Sequence, residues 1–280
     1  MSEQTGSRPE YALGHSSDEL KRLTTQARLM EPFTRAIFTQ AGIAAGMKVL
    51  DVGSGPGDVS FLARELVGSE GRVTGVDRSP EALAKARERA AALEYSNVNF
   101  IEGDPTEIRF GELYDALVGR FVLMYYPDPA EALRRLIRHI RPGGIVAFQE
   151  VCHSGIRSFP PVPLLERLFE LTGKAQELSG AEPQMGLKLY STFIAAGLPA
   201  PMLQINMGIV GAQDPMAERL PYFLVQSLRS MMPAILKYGL ATAEEIDIDT
   251  YAERMSLEFR AGGGVFLSPP FIGAWTKKNT

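Results

Sequence analysis

The residues best suited to chemistry lie in one short run, Val49-Leu50-Asp51-Val52-Gly53-Ser54-Gly55-Pro56-Gly57, where an apolar stretch gives way to glycines. Glycine reaches backbone angles closed to other residues, and its missing Cβ lets a ligand approach the main chain. The spacing says which ligands fit. A dinucleotide pyrophosphate calls for G-x-G-x-x-G, but here the glycines are 53, 55 and 57, followed by Asp58, whose charge would repel phosphate. No Gly-Lys-Ser/Thr follows, so a Walker loop is absent. The loop therefore suits a ligand without a bound phosphate chain. Asp77 lies twenty residues beyond Gly57 and ends a second apolar run. A carboxylate there can accept both hydrogen bonds of a ribose diol, which favours a nucleoside-containing ligand without saying which.

Alternating elements must hold these residues. Val49, Leu50 and Val52 read as a first strand and Val59 to Leu66 as a helix. Arg72 to Val76 is a second strand; Ser79 caps a helix that starts at Pro80 and runs to about Leu93. Val98 to Ile101 and Tyr114 to Val118 are further strands. Pro129 to Ile140 reads as a helix stopped by Pro142-Gly143-Gly144, and Ile145 to Val151 as a fifth strand. These continuous apolar runs, alternating with helices, predict a parallel sheet buried on both faces, that is, a doubly wound α/β class.

The flanks are more irregular. Residues 1–10 read as a tail, and Ser16 with Glu19 has capping-box spacing ahead of one or two amphipathic helices, with a break near Pro32. After Val151 a loop is expected at 159–163, helices at 164–178, 187–196, 221–238 and 243–259, a strand at 202–210, and a final strand at 271–276. This divides the chain into N-terminal tail and helices (1–44), a binding core (45–151), helical insertions with late core elements (152–262) and a final strand (263–280).

At the motifs the chain resembles the class I S-adenosylmethionine-dependent methyltransferases. Asp51-x-Gly53-x-Gly55-x-Gly57 looks like their first motif, and Val76-Asp77 with Ser79-Pro80 like their second. Ile101-Glu102-Gly103-Asp104-Pro105 looks like their third-strand segment, and Arg141-Pro142-Gly143-Gly144 like the turn into their fifth strand. The likeness covers about residues 45–151 in order and spacing. It implies a Rossmann-like methyltransferase sheet with S-adenosylmethionine as cofactor and S-adenosylhomocysteine as product, and a helical lid inserted after strands five and six. It further implies that Gly53, Ser54, Gly55 and Gly57 line the methionine and ribose side, with Asp51 supporting the methionine amino group. By the same likeness Asp77 holds the ribose hydroxyls, and Arg78 lies over the adenine, where many relatives place an apolar residue. Gly103, Asp104 and Pro105 would surround the adenine edge, and Gly119 and Arg120 the methionine part. Asp51 and Asp104 also suit turn caps at strand ends.

Tyr11-x-Leu13-Gly14-His15-Ser16 and Gln26-Ala27-Arg28 resemble a bacterial branch acting on ubiquinone-like, heterocyclic and secondary-metabolite substrates, which makes Tyr11 and Arg28 candidates for the methionine end. The Asp/Asn-Pro-Pro-Tyr/Phe sequence of base-amine methyltransferases is absent after the fourth strand. The insertions carry Met202, Met207, Met216, Met231 and Met232, and Phe159, Tyr222, Phe223, Tyr238 and Trp275 as candidate walls, each equally suited to plain core. A small-molecule acceptor follows, with an aromatic or heterocyclic O, N or C nucleophile. An oxygen nucleophile needs a general base. His15 and His153 sit where the insertions meet the sheet and Glu150 lies on strand five, so these three are the catalytic candidates. His139, near a helix end, reads as structural.

Net charge is -4 and the pI about 5.6, which disfavours nucleic acid as a partner. The single cysteine, Cys152, excludes an intrachain disulfide or a multi-cysteine zinc site, and no metal is expected. The polar start lacks a signal-peptide core, and no apolar run reaches the about 18 residues that span a bilayer, so a cytoplasmic protein without membrane contact is expected. No feature demands a homodimer, although the inserted helices offer a surface for one. The alternative function is the same cofactor-binding fold used without methyl transfer, as in a cyclase or a cofactor-bound regulator.

Overall fold

The computed structural model describes residues 17–279, with side chains from Leu29 onward. It opens with α1 (Ser17–Ala41), β1 (Lys48–Val52), α2 (Asp58–Val67), β2 (Arg72–Asp77), α3 (Pro80–Ala92), β3 (Val98–Glu102) and β4 (Tyr114–Arg120). A 3-10 turn (Leu123–Tyr125), α4 (Pro129–Leu136), a second 3-10 turn (Ile137–His139) and β5 (Ile140–Val151) follow. The later elements are β6 (Arg157–Phe159), α5 (Pro163–Leu178), α6 (Met185–Ala195), β7 (Met202–Asn206) and β8 (Ile209–Gly211). The chain ends through α7 (Met216–Lys237), α8 (Ala243–Ile246), α9 (Ile248–Gly262), β9 (Val265–Leu267) and β10 (Phe271–Lys277).

Seven strands form the main sheet in the order β3-β2-β1-β4-β5-β10-β7. The first five are parallel; β10 runs antiparallel to both β5 and β7. Strand order reverses between β1 and β4, which places a crevice beyond their carboxyl ends. Alternate residues feed two cores. Leu50, Val52, Leu117 and Phe148 pack on one face with α6 residues such as Phe193. Val49, Val73, Ala116 and Val118 pack on the other with Ile37 and Phe38 of α1. The doubly wound α/β sheet is thus the one that the apolar runs imply.

Several boundaries differ from the sequence expectation. No break occurs at Pro32, which lies inside α1. Burial of Ile37 and Phe38 against the sheet, and stacking of Phe33 on Phe271 at 6.4 Å, hold the helix across the lost backbone bond. The Pro129 helix ends at Leu136, and Ile140 already begins β5. The expected strand at 202–210 is two strands in two sheets.

The second sheet, β6-β9-β8, has no local signature, because its three-residue strands come from segments about 50 residues apart. Its close approach depends on Gly264, where an added Cβ would lie 1.9 Å from the Phe159 carbonyl oxygen. This small sheet, α5, α7 and α9 share a third apolar core that includes Leu168, Leu228, Met231, Met255, Phe259 and Phe266. The insertions after β5 and β7 therefore form one layer over the carboxyl end of the main sheet.

Candidate functional site

One cavity of about 580 Å³ runs from the loop after β1 to the inserted layer. Its first end is built from backbone. Gly53 (φ +65°) must be glycine, because a Cβ would lie 2.5 Å from Val122 Cγ2. Gly57 (φ +93°) precedes α2 in the left-handed region, and a Cβ there would meet the Phe61 ring at 2.8 Å. The Gly55 amide donates to Asp77 Oδ2 at 2.8 Å, and the Ser79 amide donates to Asp77 Oδ1 at 2.9 Å. The carboxylate at the end of β2 is thereby fixed over the loop, with lone pairs to spare. Ser79 in turn caps α3, as its position before Pro80 predicts. Gly53, Ser54, Gly55, Pro56, Asp58, Asp77, Arg78, Pro105 and Arg120 all line this end. The Ser54 hydroxyl is buried there without a hydrogen-bond partner.

Asp58 opens α2, where its charge favours the helix N-terminus, and it pairs with Arg89 at 2.7 Å. Arg78 pairs with Asp104 at 2.8 Å, and its guanidinium lies 5.6 Å from the Tyr126 ring centroid. Arg120 donates to Thr34 Oγ1 at 3.2 Å, and Thr34 donates to Gln149 Oε1 at 2.6 Å, tying the cavity wall to α1. Burial pulls the Arg120 pKa down, against the opposing charges of Asp58 and Asp51.

Five predicted cofactor residues, Gly57 among them, stand behind the wall rather than in it. Asp51 is fully buried; Ser60 donates to Oδ2 at 2.6 Å, and Oδ1 has no partner. Its desolvation raises the pKa to about 7. Gly103 donates its amide to the Asp77 carbonyl at 2.9 Å. Asp104 accepts from the Thr106 amide and hydroxyl at 2.9 and 2.8 Å. Gly119 makes room within the sheet for the Phe148 ring, which a Cβ would approach to 2.5 Å. Arg28 lies on α1 with its side chain outside the description, and Tyr11 and His15 lie outside the described residues.

The second end is built from side chains. Leu168, Phe169, Leu220, Phe223, Met231, Phe266 and Phe271 enclose it. Phe121, at the end of β4, joins the two ends; it holds φ +58°, uncommon for a bulky residue, and its ring lies 5.8 Å from that of Phe271. Of the candidate walls, Phe223 and Met231 line the cavity. Phe159, Tyr222, Met202, Met207 and Met216 are exposed, Tyr238 and Met232 pack into the inserted core, and Trp275 packs on the main sheet. Helical spacing alone did not tell these apart. Phe121, Phe169 and Gln176 were missed, since no motif marks them.

His153 lines the second end, and its Nδ1 is sealed against Gly173 of α5 without a partner. Desolvation lowers its pKa to about 4, so the ring is neutral at pH 7. Glu150 does not reach the cavity. Its Oε1 accepts from the amides of Val122 and Leu123 at 2.9 and 2.7 Å, and burial raises its pKa to about 8. It braces the 3-10 turn that follows β4. His139 meets Phe110 edge-on, away from the cavity.

A methyltransferase domain family matches residues 43–197, more than half of the chain, and the chain belongs to it. The family is of the class I, S-adenosylmethionine-dependent kind. Demethylmenaquinone methyltransferase of Staphylococcus aureus is 33% identical over 138 residues, which cover 49% of this chain and 54% of that protein. The chain thus matches about half the length of these curated relatives. The YcgJ protein of Bacillus subtilis shares the fold, with TM-score 0.56 and 18% identity over 88% of this chain and 98% of its own. So does Haemonchus contortus phosphoethanolamine N-methyltransferase 2, solved with phosphomonomethylethanolamine and S-adenosylhomocysteine, with TM-score 0.54 and 18% identity over 89% of this chain and 53% of its own. No helix among the described residues is long and apolar enough to cross a membrane.

Proposed function

We propose that this protein transfers a methyl group from S-adenosylmethionine to a small, largely apolar aromatic or heterocyclic acceptor, with an O, N or C nucleophile. The observation that carries this reading is the continuity of the cavity. A backbone cradle with a fixed carboxylate opens directly into an apolar chamber. The residues present fit the cofactor. Gly55 faces open space, with nothing within 4 Å of where its Cβ would stand, Ser54 offers an unspent hydroxyl, and Asp77 presents a carboxylate at ribose position. When bound, the sulfonium supplies an electrophilic methyl group.

In this reading Asp77 binds the ribose hydroxyls, Arg78 and Pro105 border the adenine, and Ser54 and Arg120 serve the methionine part. Asp51 acts from behind the loop through the hydrogen bond it accepts from Ser60. The inserted helices are the lid: they hold the acceptor in line and exclude water, which favours direct displacement. His153 accepts a hydrogen bond from the acceptor's O–H or N–H. A ring with a pKa near 4 is too weak to ionise a resting hydroxyl at pH 7. It takes the proton only as positive charge develops on the attacking atom. The protein works in the cytoplasm without nucleic acid or membrane as partner.

The test is turnover. Purified protein with S-adenosylmethionine should release S-adenosylhomocysteine in the presence of one or more members of a panel of phenols, indoles and fused heterocycles. Binding of S-adenosylmethionine without any turnover across the panel would contradict methyl transfer to this class.

A further inference from the structure

The face of α5 that closes the acceptor chamber carries Leu168, Phe169, Thr172 and Gln176. Residues four apart on a helix stand one above the other, so Thr172 and Gln176 face the chamber together. Thr172 spends its hydroxyl on the Leu168 carbonyl at 2.9 Å. Gln176 spends nothing: its side chain makes no hydrogen bond among the described residues, and Oε1 is buried without a partner. The His153 ring packs on the same helix one turn earlier, 3.2 Å from where a Gly173 Cβ would stand, and its Nδ1 is equally unpartnered. Two polar side chains with unspent hydrogen-bonding capacity therefore line one wall of a mostly apolar chamber.

Such groups cost stability when they are left dry. Turning the amide over does not help, since either orientation leaves a polar atom without a partner. A site of this kind rejects ligands that fail to satisfy it far better than an apolar pocket rejects a wrong shape. We propose that Gln176 is a specificity-determining residue and that the chamber selects acceptors with two polar groups on one apolar ring system, one meeting His153 and the other Gln176. The proposal rests on the functional reading above for the word acceptor, but the recognition itself does not require transfer to occur. Glutamine offers both donor and acceptor, so the second group is a hydroxyl, amine or carbonyl.

The experiment uses the full chain saturated with S-adenosylhomocysteine, which removes transfer from the readout. Binding of 2-naphthol is compared by calorimetry with binding of 1,3- and 2,7-dihydroxynaphthalene, for the unaltered protein and for Gln176→Leu. At least one diol should bind tenfold or more tighter than 2-naphthol to the unaltered protein. In Gln176→Leu that preference should fall below threefold while 2-naphthol affinity stays the same. Gln176→Met, with a similar unbranched shape, serves under the same criteria if Gln176→Leu melts early. Equal affinities in the unaltered protein, a preference that survives both substitutions, or no binding of any naphthol to the loaded protein would overturn the proposal. Failure to bind S-adenosylhomocysteine in the same titrations would instead strike the functional reading.

Discussion

At the loop end, the cavity wall is mostly main chain and short polar groups drawn from Gly53 to Arg78, with the Gly55 and Ser79 amides holding Asp77 in place. At the inserted end, the wall is made of side chains from β5, α5, α7, β9 and β10, spread from Val151 to Phe271. The first end is defined by backbone angles, which fix residue type at fixed spacing. The second is defined by packing, where many apolar residues of similar volume fill the same space. The first end should therefore fail abruptly on small changes, and the second should change what it accepts while leaving cofactor binding alone.

Gly53→Val should break this division most strongly. It puts a branched side chain at φ +65° and 2.5 Å from Val122. S-adenosylmethionine affinity, read by calorimetry, should fall by at least about 100-fold, the scale of a backbone strain of about 1–3 kcal/mol added to blocked space. The same substitution should leave the inserted core intact by near-ultraviolet circular dichroism.

Phe223→Ala tests the other half. Removing this ring from the chamber wall should raise KM for a methylated acceptor by about tenfold, the scale of one lost apolar contact surface. Cofactor affinity should stay within twofold. A parallel loss of cofactor affinity would show that the two ends are not separable.

That division also explains what could be read from sequence. The alternation of strands and helices from Val49 to Val151, the Ser79 cap and the Asp77 position were legible because each is dictated locally, by apolar runs, capping chemistry or loop spacing. Gln176 and Phe169 were not, because their meaning depends on α5 folding over a loop more than 100 residues earlier. Five methionines and five aromatics carried the same local signal, and tertiary packing chose Met231 and Phe223. Glu150 looked available on β5 and is in fact committed to two backbone amides.

His153→Phe sharpens the comparison through pH. Folded His153 has a pKa of about 4, against about 6.5 when unfolded. Between these values the unfolded chain binds more protons. The stabilisation is complete above about pH 6.5 and drains as pH falls towards 4, by about 3 kcal/mol. The phenylalanine variant should lose that part of the slope in denaturant titrations at pH 4.5 and 7. An unchanged slope would place the ring in water rather than in the chamber.

Glu150→Gln should have the smallest effect on turnover, and its pH dependence has the opposite sign. Folded Glu150 has a pKa of about 8, raised from 4.5, so the folded state binds more protons between these values and stability falls as pH rises through them. The glutamine variant should be less pH-sensitive from pH 5 to 8, and its kcat with any acceptor should stay within about threefold if Glu150 only braces the turn. A loss of 100-fold or more would return it to the catalytic set.

The central claim is that this fold binds S-adenosylmethionine in the cradle made by the Gly53 loop and Asp77. Calorimetric titration with S-adenosylmethionine, S-adenosylhomocysteine and NADH tests it directly. The account predicts one site for each of the first two, none for NADH, and an affinity at least tenfold weaker in folded Asp77→Ala. No binding of either sulfur ligand to the folded protein would contradict it.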